Sequence, residues 1–123
     1  MQDSHHILLV EDNPHVRRAT YSFLTSQGYK VTAVGTLTAA IDCTRSSPDL
    51  DLLITDYHLP DGATGKQVVG SVREVLGPQF RALVITGDTA SAVHQFDGDR
   101  ALCWLRKPVD PELLLASVRN LLA

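Results

Sequence analysis

The stretch Leu52-Leu53-Ile54-Thr55-Asp56-Tyr57-His58-Leu59-Pro60-Asp61-Gly62 decides how this chain folds. It begins as a short apolar run, the pattern of a strand buried on both faces. It breaks at Pro60-Asp61-Gly62, where Pro presets φ, Asp can bond its own backbone and Gly accepts positive φ, so a turn follows. Asp56 therefore falls where a buried strand meets a surface loop. A buried charge is costly unless it is paired, so partners must come from elsewhere in the chain. The candidates are Glu11-Asp12 after an earlier apolar run, Thr86 after a later one and Lys107 after the last.

Outward from this stretch, apolar runs alternate with helical stripes. Toward the N-terminus, Ile7-Leu8-Leu9-Val10 reads as a buried strand ending in Glu11-Asp12. Asn13-Pro14 opens a helix, because Asn caps well and Pro suits the first helical position. Val16, Ala19, Phe23 and Leu24 share one face of that helix, and Gly28 stops it. Lys30 to Val34 is a weaker strand whose alternation suggests a sheet edge. Thr36 caps a second helix with Leu37, Ala40, Ile41 and Thr44 on one face, ending near Ser46-Ser47-Pro48. Toward the C-terminus, a third helix runs from about Gly65 to Leu76, with Val68 or Val69, Val72 and Leu76 inward and Gly77-Pro78 as its stop. Arg81 to Thr86 is the fourth strand. Ala90, Val93 and Phe96 form only a thin stripe, and Asp97-Gly98-Asp99 is poor helix chemistry, so a fourth helix there is expected to be short or mobile. Leu102 to Arg106 is the fifth strand. Asp110-Pro111-Glu112 caps the last helix, with Leu114, Val118, Leu121 and Leu122 inward.

Strands alternating with helices imply an α/β fold: a doubly wound five-stranded parallel sheet with helices on both faces, flavodoxin-like, with strand order 2-1-3-4-5. The 123 residues fit one domain, 1–123, and suffice for a sizeable core. A hydrophobic share of 44% with 20% charged residues is that of an ordinary globule. The formal net charge of -3 offers no basic field for nucleic acid or an anionic membrane surface. No apolar stretch approaches the roughly 20 residues of a membrane span, and Met1-Gln2-Asp3-Ser4-His5-His6 is too polar for a signal peptide, so a cytoplasmic location is expected. Cys43 and Cys103 are far apart and read as small buried apolar residues. His5, His6, His15 and His94 show no ligand spacing and read as surface residues.

In an open parallel sheet, ligands bind outside the carboxyl ends of the strands. Glu11 and Asp12 follow strand one, Asp56 follows strand three, Thr86 ends strand four and Lys107 follows strand five. Carboxylates gathered there repel, at about 4 kcal/mol for two charges 4 Å apart at an effective dielectric of 20. A proton or a cation must compensate. All-oxygen ligands suit Mg²⁺. A carboxylate beside Mg²⁺, a hydroxyl and a fixed ammonium is arranged to receive a phosphoryl group.

The motifs Leu-Val-Glu-Asp-Asn, Thr-Asp-Tyr-His-Leu-Pro-Asp-Gly, Ile-Thr-Gly-Asp-Thr and Arg-Lys-Pro-Val, in this order and spacing, resemble those of the receiver domains of two-component response regulators. The resemblance covers the whole chain. It implies that Asp56 accepts a phosphoryl group from the phosphohistidine of a histidine kinase or phosphotransfer domain in a Mg²⁺-dependent reaction, followed by hydrolysis. It implies that Asp12 and Asp56 bind Mg²⁺ directly with the backbone carbonyl of His58, and that Glu11 holds metal-bound water. Thr86 and Lys107 would contact the phosphoryl oxygens, Trp104 takes the place of the switch aromatic beside Thr86, and the Lys107-Pro108 bond would be cis.

Period-two alternation places Trp104 on the opposite face from Lys107, so packing on an edge strand is its other reading. His58 and Asp88, two residues beyond Asp56 and Thr86, are expected to line the path of the attacking water. The wording around Asp56 and Thr86 is similar to receivers at the C-terminus of hybrid sensor kinases; a single-domain regulator or a DNA-binding regulator cut short is the alternative. Association no stronger than a weak dimer is expected. Two other classes compete. A phosphohydrolase of the haloacid-dehalogenase type should carry an acid two residues after its nucleophile, where this chain has His58. An adaptor that works without phosphorylation would not need Asp12, Asp56, Thr86 and Lys107 together.

Overall fold

The computed structural model describes residues 4–87 and 98–123. Five parallel strands, β1 (His6–Val10), β2 (Lys30–Val34), β3 (Leu52–Asp56), β4 (Ala82–Thr86) and β5 (Leu102–Arg106), form one sheet in the order β2-β1-β3-β4-β5. The described helices are α1 (Pro14–Ser26), α2 (Leu37–Ser46), α3 (Gly65–Leu76) and α4 (Pro111–Leu122). The expected helix around Ala90, Val93 and Phe96 lies outside the described residues, as do Asp88 and His94, so α4 here is the last helix.

The local chemistry explains the boundaries. Asn13 Oδ1 accepts from the backbone of His15 and Val16, and Pro14 starts α1. Thr36 accepts from Ala39 N–H at α2, and Asp110 from Glu112 N–H at α4. Thr64 and Gln67 cap α3 reciprocally, each side chain bonding the other's backbone N–H. Gly28 (φ 96°) follows α1 and Gly77 (φ 116°) ends α3, both in the left-handed region where a side chain would be strained.

β1, β3 and β4 are buried along their whole length, which is why they read as continuous apolar runs rather than alternating ones. Alternation splits their side chains between two cores. Leu8, Val10, Leu53 and Val84 meet α2 and α3 on one side, with Val68, Val69 and Val72. Ile7, Leu9, Ile54, Leu83 and Ile85 meet α1 and α4 on the other, with Leu24, Leu114 and Val118. Both Val68 and Val69 are buried, so α3 needs no choice between them. Cys43 and Cys103 pack in different cores and are not bonded to each other.

One helix face is only partly covered, and one expectation is corrected. The face of α1 holding Val16, Ala19, Phe23 and Leu24 is not uniformly inward. Leu24 is fully buried, but Val16 is 45% exposed and Ala19 is also exposed. Val16, Ala19 and Phe23 line an open groove between α1 and α4, while Leu24 meets the core. His6 is not a surface residue. It is 3% exposed, its backbone N–H donates to Asp51 Oδ2, and its ring nitrogens lie 3.1 Å from Asp49 Oδ2 and 2.7 Å from Thr32 Oγ1. Those partners come from other elements, and the spacing of histidines along the chain carries no sign of them.

Candidate functional site

Sheet register brings the site residues to one edge. Asp56 is the last residue of β3 and pairs with Ile85; Thr86 is the last of β4 and pairs with Arg106. Beyond the strands, one backbone bond holds each continuing chain to its neighbour. Glu11 N–H donates to Val34 O (3.0 Å), Tyr57 N–H to Ile85 O (2.8 Å) and Lys107 N–H to Thr86 O (2.9 Å). With Val10 paired to Thr55, the carboxyl ends of β1, β3, β4 and β5 stand side by side before any side-chain chemistry is considered.

Glu11, Asp12 and Asp56 each offer a carboxylate oxygen, and these atoms lie within 4.8 Å of one another. Glu11 and Asp56 are buried, whereas Asp12 is exposed, so the cluster opens to solvent on the Asp12 side. Lys107 Nζ lies 3.3 Å from Asp56 Oδ1. Asp56 itself is 2% exposed, and its Oδ2 has no hydrogen-bond partner among the described residues. Burial and the facing Glu11 carboxylate push the Asp56 carboxyl up from 3.8 to about 8, against the opposing pull of Lys107. One ammonium does not compensate three carboxylates. The donor set is all oxygen and includes an orphaned buried oxygen, which fits a small hard divalent cation.

Asn13 N–H donates to Glu11 Oε2 (3.0 Å), which aims that carboxylate. Arg17 Nη1 donates to the carbonyl oxygens of Glu11 (2.8 Å) and Asp12 (3.4 Å), pinning the loop between β1 and α1. The motifs held no sign of this role for Arg17, which looks like any polar residue on α1. The loop after Asp56 folds back on itself. Leu59 N–H donates to Ala63 O (3.0 Å), His58 pairs with Thr64 in an antiparallel bridge, and Gly65 N–H donates to Tyr57 O (2.6 Å). The Lys107-Pro108 bond is cis.

The structure therefore gathers Glu11, Asp12, Asp56 and Lys107 in one pocket. Thr86 is buried at the adjoining end of β4, and His58 is exposed two residues beyond Asp56. Trp104 is elsewhere. It packs on the α2–α3 side of the sheet against Tyr57, with ring centroids 6.1 Å apart and planes at 35°. Beside Asp56 on the other side, an apolar groove of about 730 Å³ runs between α1 and α4, lined by Leu9, Val16, Phe23, Ile54, Val109 and Leu114 among others.

Fold and site together define a doubly wound α/β domain with an acidic pocket at the carboxyl end of its sheet. Residues 7–119 match the family model described as the response regulator receiver domain. The chain belongs to that family. It is 30% identical over 118 residues to Sensor protein TorS of Escherichia coli (strain K12), covering 91% of this chain and 12% of that protein. It is 34% identical over 122 residues to Response regulator Rre1 of Synechocystis sp. (strain ATCC 27184 / PCC 6803 / Kazusa), covering 95% of this chain and 51% of that one. Among solved structures it is similar to a response regulator receiver protein from Sinorhizobium medicae WSM419, with TM-score 0.85 and 29% identity over 98% of this chain and 95% of that chain. The chain thus spans about half the length of one of these curated relatives and a small fraction of the other. No helix among the described residues is long and apolar enough to cross a membrane.

Proposed function

We propose that residues 1–123 form one receiver domain that accepts a phosphoryl group on Asp56 from the phosphohistidine of a histidine kinase or phosphotransfer domain, with Mg²⁺ as cofactor. The observation that carries this reading is the meeting of Glu11, Asp12 and a buried, half-satisfied Asp56 with Lys107 at 3.3 Å. Asp12, Asp56 and the carbonyl of His58 would hold the metal, with Glu11 behind them. When bound, the metal supplies positive charge that favours ionised Asp56 and offsets charge on the transferring oxygens.

The chain's own residues do the rest. A carboxylate oxygen of Asp56 supplies the electron pair of the new O–P bond, while the N–P bond of the donor breaks and its pair returns to the imidazole nitrogen. Lys107, already beside Asp56, neutralises the incoming group, and the Thr86 hydroxyl donates a hydrogen bond to it. Water then attacks phosphorus, the O–P bond to Asp56 breaks, and inorganic phosphate leaves. His58, exposed two residues beyond Asp56, would influence that water. The apolar groove beside Asp56 supports a donor delivered on a protein surface, because a small free donor needs no such wall. The net charge of -3 offers no basic field for nucleic acid or an anionic membrane, and the reading adds a cytoplasmic domain that is a monomer or weak dimer.

The match to a short part of a sensor protein supports a place inside a hybrid sensor kinase. The match to half of a response regulator supports the alternative of a separate regulator. The test of the central reading is intact mass after incubation with acetyl phosphate and Mg²⁺. Wild type gains one phosphoryl group and Asp56→Asn gains none; labelling of the Asn variant would place the acceptor elsewhere.

A further inference from the structure

Gly65 stands at the first position of α3, and its backbone is pressed against the chain that carries Asp56. A Cβ built on Gly65 would lie 2.6 Å from Asp56 O, 3.0 Å from Tyr57 Cα and 3.3 Å from Asp56 C. The first of these separations is shorter than real Cβ atoms tolerate, and every atom met is main chain, which cannot swing aside as the tip of a side chain can. The contact is also bonded: Gly65 N–H donates to Tyr57 O at 2.6 Å. The φ of Gly65 is not in the left-handed region, so glycine is needed here for space and not for conformational freedom. Gly70, one and a half turns along the same helix, is exposed, and a Cβ there would meet nothing within 4 Å.

We infer that Gly65 is a positioning residue for Asp56: its missing side chain lets the first turn of α3 seat against the Asp56–Tyr57 peptide and so sets where the Asp56 carboxylate and the His58 carbonyl stand. The seat is rigid on both sides. Tyr57 N–H is held by Ile85 O on β4, Tyr57 O by Gly65 N–H, and the entry to α3 by the reciprocal Thr64–Gln67 cap. A methyl group at Gly65 must therefore push either α3 or the end of β3. α3 is anchored by the buried Val68, Val69 and Val72, so the end of β3 shares the displacement. An error of 1 Å at a reacting group can cost about a hundredfold in rate, so a partial shift is enough to be read.

The inference rests on Asp56 being the acceptor and metal ligand, and two readouts keep the two ideas apart. Gly65→Ala, Gly70→Ala and the double variant are compared with wild type by thermal melting, by Mg²⁺ titration calorimetry, and by the rate of labelling at saturating acetyl phosphate and Mg²⁺. Gly70→Ala should raise the melting temperature, since alanine replaces an exposed helical glycine, and leave the other two readouts unchanged. Gly65→Ala should weaken Mg²⁺ binding and slow labelling by tenfold or more. The double variant should recover melting temperature without recovering Mg²⁺ affinity or rate, a pattern that general loss of structure would not produce. Wild-type Mg²⁺ affinity and rate in folded Gly65→Ala overturn the proposal, as does their recovery in the double variant. A double variant that does not fold overturns it too, by making Gly65 a requirement of folding. If wild type itself is not labelled, the acceptor reading fails, and the Mg²⁺ titrations alone decide whether Gly65 places Asp56.

Discussion

Asp56 faces opposing demands near neutral pH. As the proposed nucleophile it must be ionised, yet burial and the facing Glu11 carboxylate push its carboxyl up to about 8. The linkage has a definite sign. An unfolded Asp titrates near 3.8, so between roughly pH 4 and 8 the folded state carries the extra proton, and stability falls as pH rises through that window. Without divalent cation, wild type should melt lower at pH 8 than at pH 5, and Asp56→Asn, which has no charge to bury, should lose most of that slope and melt a few degrees above wild type at pH 8. Saturating Mg²⁺ should raise the wild-type melting temperature at pH 8 by binding only the folded state. A slope that survives in Asp56→Asn, or melting indifferent to Mg²⁺, would remove this account of the pocket.

Among the elements, the boundaries that local chemistry controls were legible: Asn13, Thr36 and Asp110 cap their helices as their side chains dictate. Cross-element clamps were not. Arg73 on α3 donates to both carboxylate oxygens of Asp99, at 2.5 and 3.2 Å, and to Phe80 O at 3.0 Å, while Asp99 Oδ1 also accepts from Ala101 N–H. The pair ties α3 to the residues entering β5, with side chains only 16% and 22% exposed. The Arg73 guanidinium lowers the Asp99 pKa, so the stabilisation is present above the ordinary carboxylate range and is lost as pH falls through the depressed value. A double-mutant cycle on Arg73→Ala and Asp99→Ala should give a coupling of about 1 kcal/mol, above an exposed ion pair and below a dry one. A coupling under about 0.3 kcal/mol would reduce the clamp to a surface contact. In the sequence these two residues stand 26 apart in unrelated patterns, and nothing short of the fold pairs them.

For the whole molecule, the sheet separates the acidic pocket from the aromatic pair. Asp56 borders the α1–α4 groove, while the next residue, Tyr57, packs against Trp104 on the α2–α3 side. Adjacent residues of one chain thus reach opposite faces, as strand geometry requires. On the proposed reading, a rearrangement at Asp56 would reach Trp104 through Tyr57, whose ring it packs against. Because Trp104 is the sole tryptophan, its emission reports on that side alone. A phosphoryl mimic such as beryllofluoride with Mg²⁺ should shift the emission beyond the effect of Mg²⁺ alone, and a population change of tenfold needs only about 1.4 kcal/mol. Superimposable spectra with confirmed binding of the mimic would leave Trp104 as packing.

The sequence by itself determined the strand and helix order, the parallel sheet and the candidate residues at four strand ends. Buried runs, caps and turns are local signals, and the right-handed crossover then leaves few topologies. Only the tertiary structure decided which of those residues meet, that Lys107 stands 3.3 Å from Asp56, and that Arg17 braces the acidic loop. It alone decided that His6 is buried, that α1 leaves Val16 and Ala19 facing an open groove, and that Gly65 has no room for a methyl group. These are distances between segments remote along the chain. Periodicity shows which face of an element is apolar, but only the packed neighbours settle what that face meets and how closely.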